Sequence, residues 1–252
     1  MRLFLASTRN EWDKLLRRKK YIVFMIIGAA LCLLYTGLGQ LISGFVSNYG
    51  GISLNLTPTP MGALPFFLQF MVPLLMFMGV TDLITVEGSD KTMKAMVFRP
   101  VERWKLYASK ILAVVVYAGF YLASVFIVCT ALNLLFGKPM GFSDYLVSLA
   151  SYTLTIAPLA ILACFAALVA LLGRSGTLTM FLLLISYLLL CVLPMFFPVL
   201  SEMLFTSYLG WYRLWIGALP AASKLLHMLL ILFGYGTVFF TAGSLLFERK
   251  EY

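Results

Sequence analysis

Charged residues are scarce in this sequence of 252 residues, since they make up 12% of it, about half the share typical of soluble domains. Hydrophobic residues make up 62%, and the mean hydropathy is +0.97. This composition excludes a soluble globular domain and predicts an integral membrane protein. Several apolar runs reach the roughly 20 residues that a membrane-spanning helix needs, and no short alternating segments indicate a barrel. Because lipid offers no partner to backbone amides, the spanning segments are predicted to be helical and the fold all-α.

Groups suited to catalysis or metal binding are also few. The chain has a single histidine, His227, and four cysteines without a CxxC pair, so a closed metal shell is not expected. Ser175 and His227 are predicted at opposite membrane faces, whereas a nucleophile and its base must lie about 3 Å apart. No GxxxxGK[ST] loop is present, so the chain is not expected to bind ATP itself. We therefore expect no catalytic, metal-binding or cofactor-binding residue in this chain, and we interpret the cysteines as small packing residues.

Six apolar segments are long enough to span a membrane. They lie at about 21–42, 64–85, 108–136, 145–172, 179–199 and 225–247. The loops between them are short, so residues 1–252 are predicted to form a single membrane domain. Asp82, near the inner end of the second span, is the one carboxylate within the spans, which argues against an ion-coupled carrier. Pro73 and Pro158 interrupt the second and fourth spans, and we favour passive kinks over hinges there.

Lysine and arginine are divided unevenly between the two predicted sides. Sixteen of the 19 lie in the N-terminal segment, the second loop, the short loop at Arg174 and the C-terminal tail, and three lie on the other side. Because Lys- and Arg-rich short loops stay in the cytoplasm, both termini are predicted to be cytoplasmic. The net charge of +9 is thus a topology signal, and no nucleic-acid partner is expected.

Residues 1–20 are predicted to form an amphipathic interfacial helix. Its apolar stripe comprises Leu5, Thr8, Trp12, Leu15 and Leu16, and its polar side carries Arg9, Asp13, Arg17 and Arg18. Such a helix lies in the membrane interface with its cations toward anionic head groups. A plain basic flank of the first span is the alternative, but Trp12 on the apolar side favours the interfacial helix.

The loop between spans two and three is the most charged part of the chain, because nine of the 29 charged side chains lie between positions 87 and 110. Residues 90–98 can form a short helix, which Pro100 ends because proline disfavours helix at the residue before it. A helix then resumes, with Trp104 and Tyr107 at the head-group level. This pattern is compatible with a surface that a cytosolic partner grips, and equally with a solvated loop that only sets topology.

The order of residues in this loop resembles the signature of the ABC-2 type permease family, the membrane subunits of ATP-binding-cassette exporters. The matching positions are Asp82, Glu87, Thr92, Lys94, Arg99, Pro100, Arg103 and Lys110. The wider plan is similar as well: a basic N-terminal helix, six spans, an outer segment at 200–224 and the ending FERKEY. Two positions depart from the family's pattern, since Lys91 replaces a usual glycine and Ser89 replaces a second glutamate.

The resemblance implies that 86–107 is a cytoplasmic coupling loop that docks on a separate ATP-binding-cassette ATPase. Glu87 would anchor the loop, and Arg99 and Arg103 would pair with acids of the ATPase or with lipid phosphates. ATP and Mg would bind to that partner, and a second permease subunit, identical or related, would complete the path. The 200–224 segment would be re-entrant or interfacial, with an ordinary aromatic belt as the alternative.

By the same resemblance, we expect a multi-pass protein of a bacterial cell membrane that exports an amphipathic or hydrophobic substrate, such as a lipid, an antimicrobial peptide or a drug. A different class remains open. A non-transporting membrane protein, either an intramembrane enzyme or a sensor or assembly factor, could use the same loop to hold a cytosolic partner.

Overall fold

The computed structural model describes residues 2–49, 59–89, 102–137, 140–215 and 222–250, and no strand occurs within these ranges. In chain order the helices are α1 (Arg2–Arg17), α2 (Lys19–Tyr49), α3 (Pro60–Phe66), α4 (Val72–Val80), α5 (Glu87–Ser89), α6 (Arg103–Phe136), α7 (Phe142–Leu154), α8 (Ile156–Leu172), α9 (Gly176–Phe196) and α10 (Ala222–Arg249). The π-helical turns Phe67–Met71 and Thr81–Val86 join α3, α4 and α5 into one continuous segment. The 3-10 turns Pro198–Ser201 and Phe205–Trp215 follow α9.

Among the described residues, six segments are long and apolar enough to cross a membrane. They are Lys19–Leu38, Pro60–Val86, Arg103–Phe136, Phe142–Leu172, Gly176–Phe196 and Leu225–Arg249. The predicted all-α fold with six spans is therefore confirmed. The fifth span ends at Phe196 and not at the predicted 199, because Pro198 opens a 3-10 turn there.

Prolines in three spans leave backbone carbonyls without their usual helical donor. Pro73, Pro158 and Pro194 have no N–H to offer the carbonyl four residues earlier in the chain. Those carbonyls, on Gln69, Leu154 and Leu190, accept hydrogen bonds from Tyr187 Oη at 3.0 Å, Trp211 Nε1 at 2.8 Å and Thr206 Oγ1 at 3.3 Å, respectively. Donors from neighbouring elements thus replace the lost bonds, which fits the expectation of packed, passive kinks.

Helix α6 lies at the centre of the bundle, in contact with α1, α2, α4, α8 and α10. Its buried positions recur along most of its length, from Leu106 to Asn133. By contrast, α9 and α10 present large apolar side chains outward, such as Leu188 and Phe233. An outward apolar surface of this kind suits contact with lipid or with another membrane helix.

One end of the bundle gathers α1, Thr81–Ser89, the first two turns of α6 and the C-terminal ends of α8 and α10; we call it the charged end. The hydrogen bonds that tie these parts together are Thr85 Oγ1 to Ala170 O at 3.0 Å, Arg103 Nη1 to Glu248 O at 2.7 Å and Lys250 Nζ to Leu171 O at 2.9 Å. The described parts of the three predicted basic regions of one side, together with Lys250 of the tail, therefore meet at one end of the bundle.

Candidate functional site

Four charged side chains from three segments meet at the charged end. Glu11, Lys14, Glu87 and Lys110, which we call the ionic core, form a closed ring of alternating sign. Lys110 Nζ lies 2.6 Å from Glu87 Oε2 and 3.2 Å from Glu11 Oε2. Lys14 Nζ lies 2.9 Å from Glu11 Oε1 and 2.9 Å from Glu87 Oε1. Each of the four carboxylate oxygens thus contacts one ammonium group, and the formal charges of the ring cancel.

The ionic core is largely removed from water. The side chains of Glu11 and Lys110 are 0% exposed, that of Glu87 is 8% exposed and that of Lys14 is 27% exposed. Burial alone disfavours the charge of Glu87, but Lys110 and Lys14 outweigh it and hold the pKa of Glu87 below its ordinary value. A buried charge of this kind is tolerated only while its partners are in place.

The local sequence explains how α1 supplies half of this ring. Glu11 and Lys14 are separated by one helical turn and so lie on the same face of α1. Leu15, fully buried, lies beside them, and Ser7 Oγ contacts Ser109 Oγ at 3.1 Å two turns away from Leu15. This face packs on α6, so α1 is part of the bundle at the charged end.

A second cluster surrounds Asp82 on the π-helical turn of the second span. Its carboxylate lies 2.9 Å from Arg18 Nη1 and 2.6 Å from Lys20 Nζ, and it accepts a 2.7 Å hydrogen bond from Tyr21 Oη. These three donors stand at the junction between α1 and α2. Asp82 therefore fixes that junction to the second span.

The prediction for the polar side of the N-terminal segment is wrong at Arg18. It was placed with the cations that face the head groups, but it pairs with Asp82 at 2.9 Å. The reason is that the buried face of α1 meets charged partners from spans two and three, which the composition of α1 alone does not reveal. Arg17 is exposed, as predicted.

Trp12 and Leu16 lie at the edge of the buried face of α1. The Trp12 ring centroid is 5.7 Å from those of Tyr117 and Phe120 on α6. Both Trp12 and Leu16 are half-buried against the core. The aromatic residue that favoured an interfacial helix is thus also a packing contact between α1 and the third span.

The predicted coupling residues fall into three groups. Glu87 and Lys110 meet in the ionic core, and Asp82 lies in the neighbouring cluster at the same end. Arg103 is exposed and donates to Glu248 O. The remaining positions, Thr92, Lys94, Arg99 and Pro100, lie outside the described residues.

Sequence reasoning missed Glu11 and Lys14 as site residues. The signal that could have identified them is a Glu–Lys pair one turn apart, directly beside Leu15 on the face that is buried. A charged pair next to a buried leucine indicates that the face is covered by something that carries complementary charge.

Ser175 and His227 do not form a catalytic pair. The Ser175 hydroxyl accepts from Leu178 N and caps the start of α9. Its neighbourhood lies at the charged end, where Lys250 contacts Leu171 O. His227 lies on α10, 22 residues before the end of that helix at Arg249, a distance of about 33 Å along the axis.

The described part of this chain is all-helical, contains six apolar spans and has its buried charges at one end of the bundle, so the protein is a multi-pass membrane protein. A family model described as ABC-2 family transporter protein matches residues 8–189, and the chain belongs to this family. The matched residues include the ionic core and the Asp82 cluster. Members of the family are membrane components of transporters and generally partner with an ATP-binding-cassette ATPase subunit. Comparison with curated proteins found no match.

Proposed function

We propose that this chain is the permease subunit of an ATP-driven exporter and that the ionic core couples the 86–107 loop to the membrane helices. The observation that carries the proposal is the position of Glu87, the first charged residue of that loop. Its carboxylate bonds Lys14 of α1 and Lys110 of α6 in a largely buried setting. A displacement of the loop at Glu87 therefore acts on α1 and on the third span together.

The Asp82 cluster extends this coupling to the first span. Asp82 lies five positions before Glu87 on the same helical segment and holds Arg18 and Lys20 at the start of α2. Because separating either set of partners exposes a buried charge, the second span, α1 and the starts of α2 and α6 are expected to move as one body. A partner that pushes on the loop would thus shift three spans and not a single helix.

In this proposal, the part of the loop that follows α5 docks on the ATPase. Arg99 and Arg103 would pair with acids of the ATPase or with lipid phosphates, and Thr92, Lys94 and Pro100 would shape the docking segment. In this arrangement the charged end and both termini face the cytoplasm, and α1 lies at the membrane interface with Arg17 toward the head groups. ATP and Mg would be bound by the partner.

The whole chain, 1–252, would act as one transmembrane domain of a bacterial cell membrane, paired with a second permease subunit, identical or related. The outer segment 200–224 would gate the exit of the path. The apolar interior of the spans supports an amphipathic or hydrophobic substrate, such as a lipid, an antimicrobial peptide or a drug. In the described parts of the spans no Asp, Glu, Lys or Arg lies at mid-depth, which argues against coupling to protons or sodium.

Co-purification tests whether the proposed ATPase binds to this chain. A tagged form of the chain is extracted gently from its native membrane, and an ATP-binding-cassette ATPase is expected to be recovered with it. A variant with residues 90–105 scrambled should lose the ATPase, whereas a variant with 216–221 scrambled should retain it. Recovery of no ATPase with the unaltered chain would contradict the proposal.

A charge reversal tests the coupling. Glu87→Lys places a third ammonium beside Lys14 and Lys110, so the loop should separate from α6 while the protein stays inserted. In proteoliposomes with the ATPase, ATP hydrolysis is expected to persist while export of a fluorescent phospholipid analogue and of a hydrophobic dye is lost. Asp13→Lys, a charge reversal at an exposed position of α1 outside the loop and the ionic core, is the matched control. Equal export by Glu87→Lys and the unaltered chain would remove Glu87 from the mechanism.

A further inference from the structure

Two cysteines from different spans face each other inside the bundle. Cys129 Sγ of α6 lies 3.3 Å from Cys32 Sγ of α2, although the residues are 97 positions apart in the chain. Both are free thiols, and their exposed fractions are 0% for Cys32 and 5% for Cys129. Their sequence spacing gave no sign that they meet.

The backbone around the pair is held by close packing. Gly28, one turn before Cys32 on α2, lies against the Tyr121 ring of α6, where a Cβ atom would come within 2.5 Å of the phenol oxygen. Two turns earlier, Tyr117 Oη donates to Tyr21 O at 3.2 Å. The two helices are thus in fixed register next to the cysteines. To reach the 2.05 Å length of a disulfide, the sulfur atoms must approach by only about 1.3 Å.

We propose that Cys32 and Cys129 form a redox modification site, a dithiol that a lipid-soluble hydroperoxide converts to a disulfide within the membrane. One sulfur attacks the peroxide, which yields a sulfenic acid and an alcohol. The second sulfur then attacks the sulfenic sulfur, the S–S bond forms and water leaves. Each sulfur loses one electron, the peroxide takes up both, and the two thiol protons end in the alcohol and the water.

The location of the pair selects the oxidant. Both thiols lie on membrane-spanning segments and are covered by protein, so an oxidant that partitions into hydrocarbon reaches them more readily than a hydrophilic one. Cys191 on α9 is exposed on the outside of the bundle, and Cys164 on α8 is half-buried. These two cysteines therefore serve as internal comparisons. The disulfide would tie the first span to the third.

The test counts thiols in the intact chain. The protein is placed in lipid nanodiscs, treated with cumene hydroperoxide, unfolded in detergent and labelled with a polyethylene-glycol maleimide that shifts its mobility once per thiol. The unaltered chain should fall from four labels to two and regain them with dithiothreitol. A variant with Cys164→Ser and Cys191→Ser should fall from two labels to none, and digestion should give one peptide pair joined through Cys32 and Cys129.

Further variants separate this site from other oxidation. When Cys32→Ser or Cys129→Ser is added to the two-cysteine variant, no intrachain disulfide should form. Dithiothreitol should then restore no label that was lost to an intrachain disulfide. The proposal is overturned if Cys32 and Cys129 keep their labels while Cys191 loses its own, or if the only disulfides join separate chains. The main measurement is made on the unaltered chain, so the test remains valid even if a variant folds poorly. Because no transport is measured, the outcome is independent of the proposed exporter function.

Discussion

Lys110 donates a 2.6 Å hydrogen bond to Glu87, 23 positions earlier in the chain, and so closes the base of the charged loop. The bond joins the end of the second span to the start of the third. It is buried, and both residues also bond to α1. The described residues on either side of the loop are therefore held at one junction that three helices share, and this junction supports the proposed transfer of movement from the loop to the spans.

Removal of the Lys110 ammonium should destabilise the protein strongly. Lys110→Met leaves Glu11 and Glu87, both buried, with Lys14 as the remaining member of the ring. Breaking a buried ion pair in this way costs about 3–5 kcal/mol. The free energy of unfolding in detergent micelles, from denaturant titration, measures the loss. Lys110→Arg, which keeps the charge, should lose less.

The matched control for this change is Lys105→Met. Lys105 pairs with Glu102 at 2.8 Å, but both side chains are exposed, so the unfolding transition should move little or not at all. Similar losses in Lys105→Met and Lys110→Met would show that burial of the ionic core contributes nothing to stability.

Acid should lower the stability of the folded protein because it protonates Glu87. Its pKa is held below the ordinary glutamate value of about 4.3, because Lys110 and Lys14 outweigh the effect of burial. A carboxylate of this kind contributes its full stabilisation above the unfolded pKa and loses it as pH falls through the lower folded pKa. The melting temperature of the unaltered chain should therefore drop as pH falls below about 4.3, the ordinary pKa of glutamate.

Glu87→Gln isolates this contribution, because it keeps the shape of the side chain but cannot titrate. The variant should be less stable than the unaltered chain at pH 7, and the difference in melting temperature should shrink as pH falls below about 4. A constant difference from pH 7 to pH 3 would show that the charge of Glu87 is not the source.

The spans were predictable from sequence, whereas the partners of the charges were not. Apolar run length directly reflects membrane thickness, so six spans followed from composition. Topology rules count each Lys and Arg singly, so Lys14 and Arg18 were counted only as cations of the N-terminal segment. Of their carboxylate partners, Asp82 lies near the end of the second span and Glu87 directly after it, and the 73-residue separation between Lys14 and Glu87 carries no periodic signal.

The same limit applies to contacts between spans. The four cysteines fall on four different helices, and which of them meet depends on the rotation of each helix about its own axis. That rotation is set by packing of small and aromatic residues such as Gly28 and Tyr121, and a hydropathy profile does not contain it. The register of α2 against α6 therefore had to come from the three-dimensional arrangement.

Loss of the Trp211 indole N–H should destabilise the fourth span where α7 meets α8. Trp211 Nε1 donates at 2.8 Å to Leu154 O, the carbonyl that Pro158 leaves without a helical donor. In Trp211→Phe the ring is largely kept but the carbonyl loses this donor. The expected loss is about 1–3 kcal/mol in the free energy of unfolding.

Trp104→Phe is the control for the indole, because Trp104 Nε1 donates to Glu102 on the exposed surface, where water can replace it. Its unfolding transition should stay close to that of the unaltered chain. If Trp211→Phe and Trp104→Phe change the free energy of unfolding equally, the hydrogen bond to Leu154 O does not contribute to stability.

The close approach of α2 to α6 can be tested by adding a single methyl group at Gly28. In Gly28→Ala the added Cβ would lie 2.5 Å from the phenol oxygen of Tyr121, and the Tyr121 ring is fully buried and cannot easily move away. Overpacking of this kind costs about 1–3 kcal/mol. Gly37→Ala, on the same helix with nothing within 4 Å, should be neutral or slightly stabilising.

A second substitution shows whether the clash itself causes the loss. Tyr121→Phe removes the oxygen that the added methyl group meets first, while the ring carbons at 3.0 Å remain. Gly28→Ala combined with Tyr121→Phe should therefore regain part, but not all, of the stability lost by Gly28→Ala alone. The comparison is a double-mutant cycle on the unfolding free energy, in which the two changes must show a favourable interaction. Strict additivity of the two changes in unfolding free energy would mean that α2 and α6 do not touch at Gly28. It would also contradict the helix register that brings Cys32 next to Cys129.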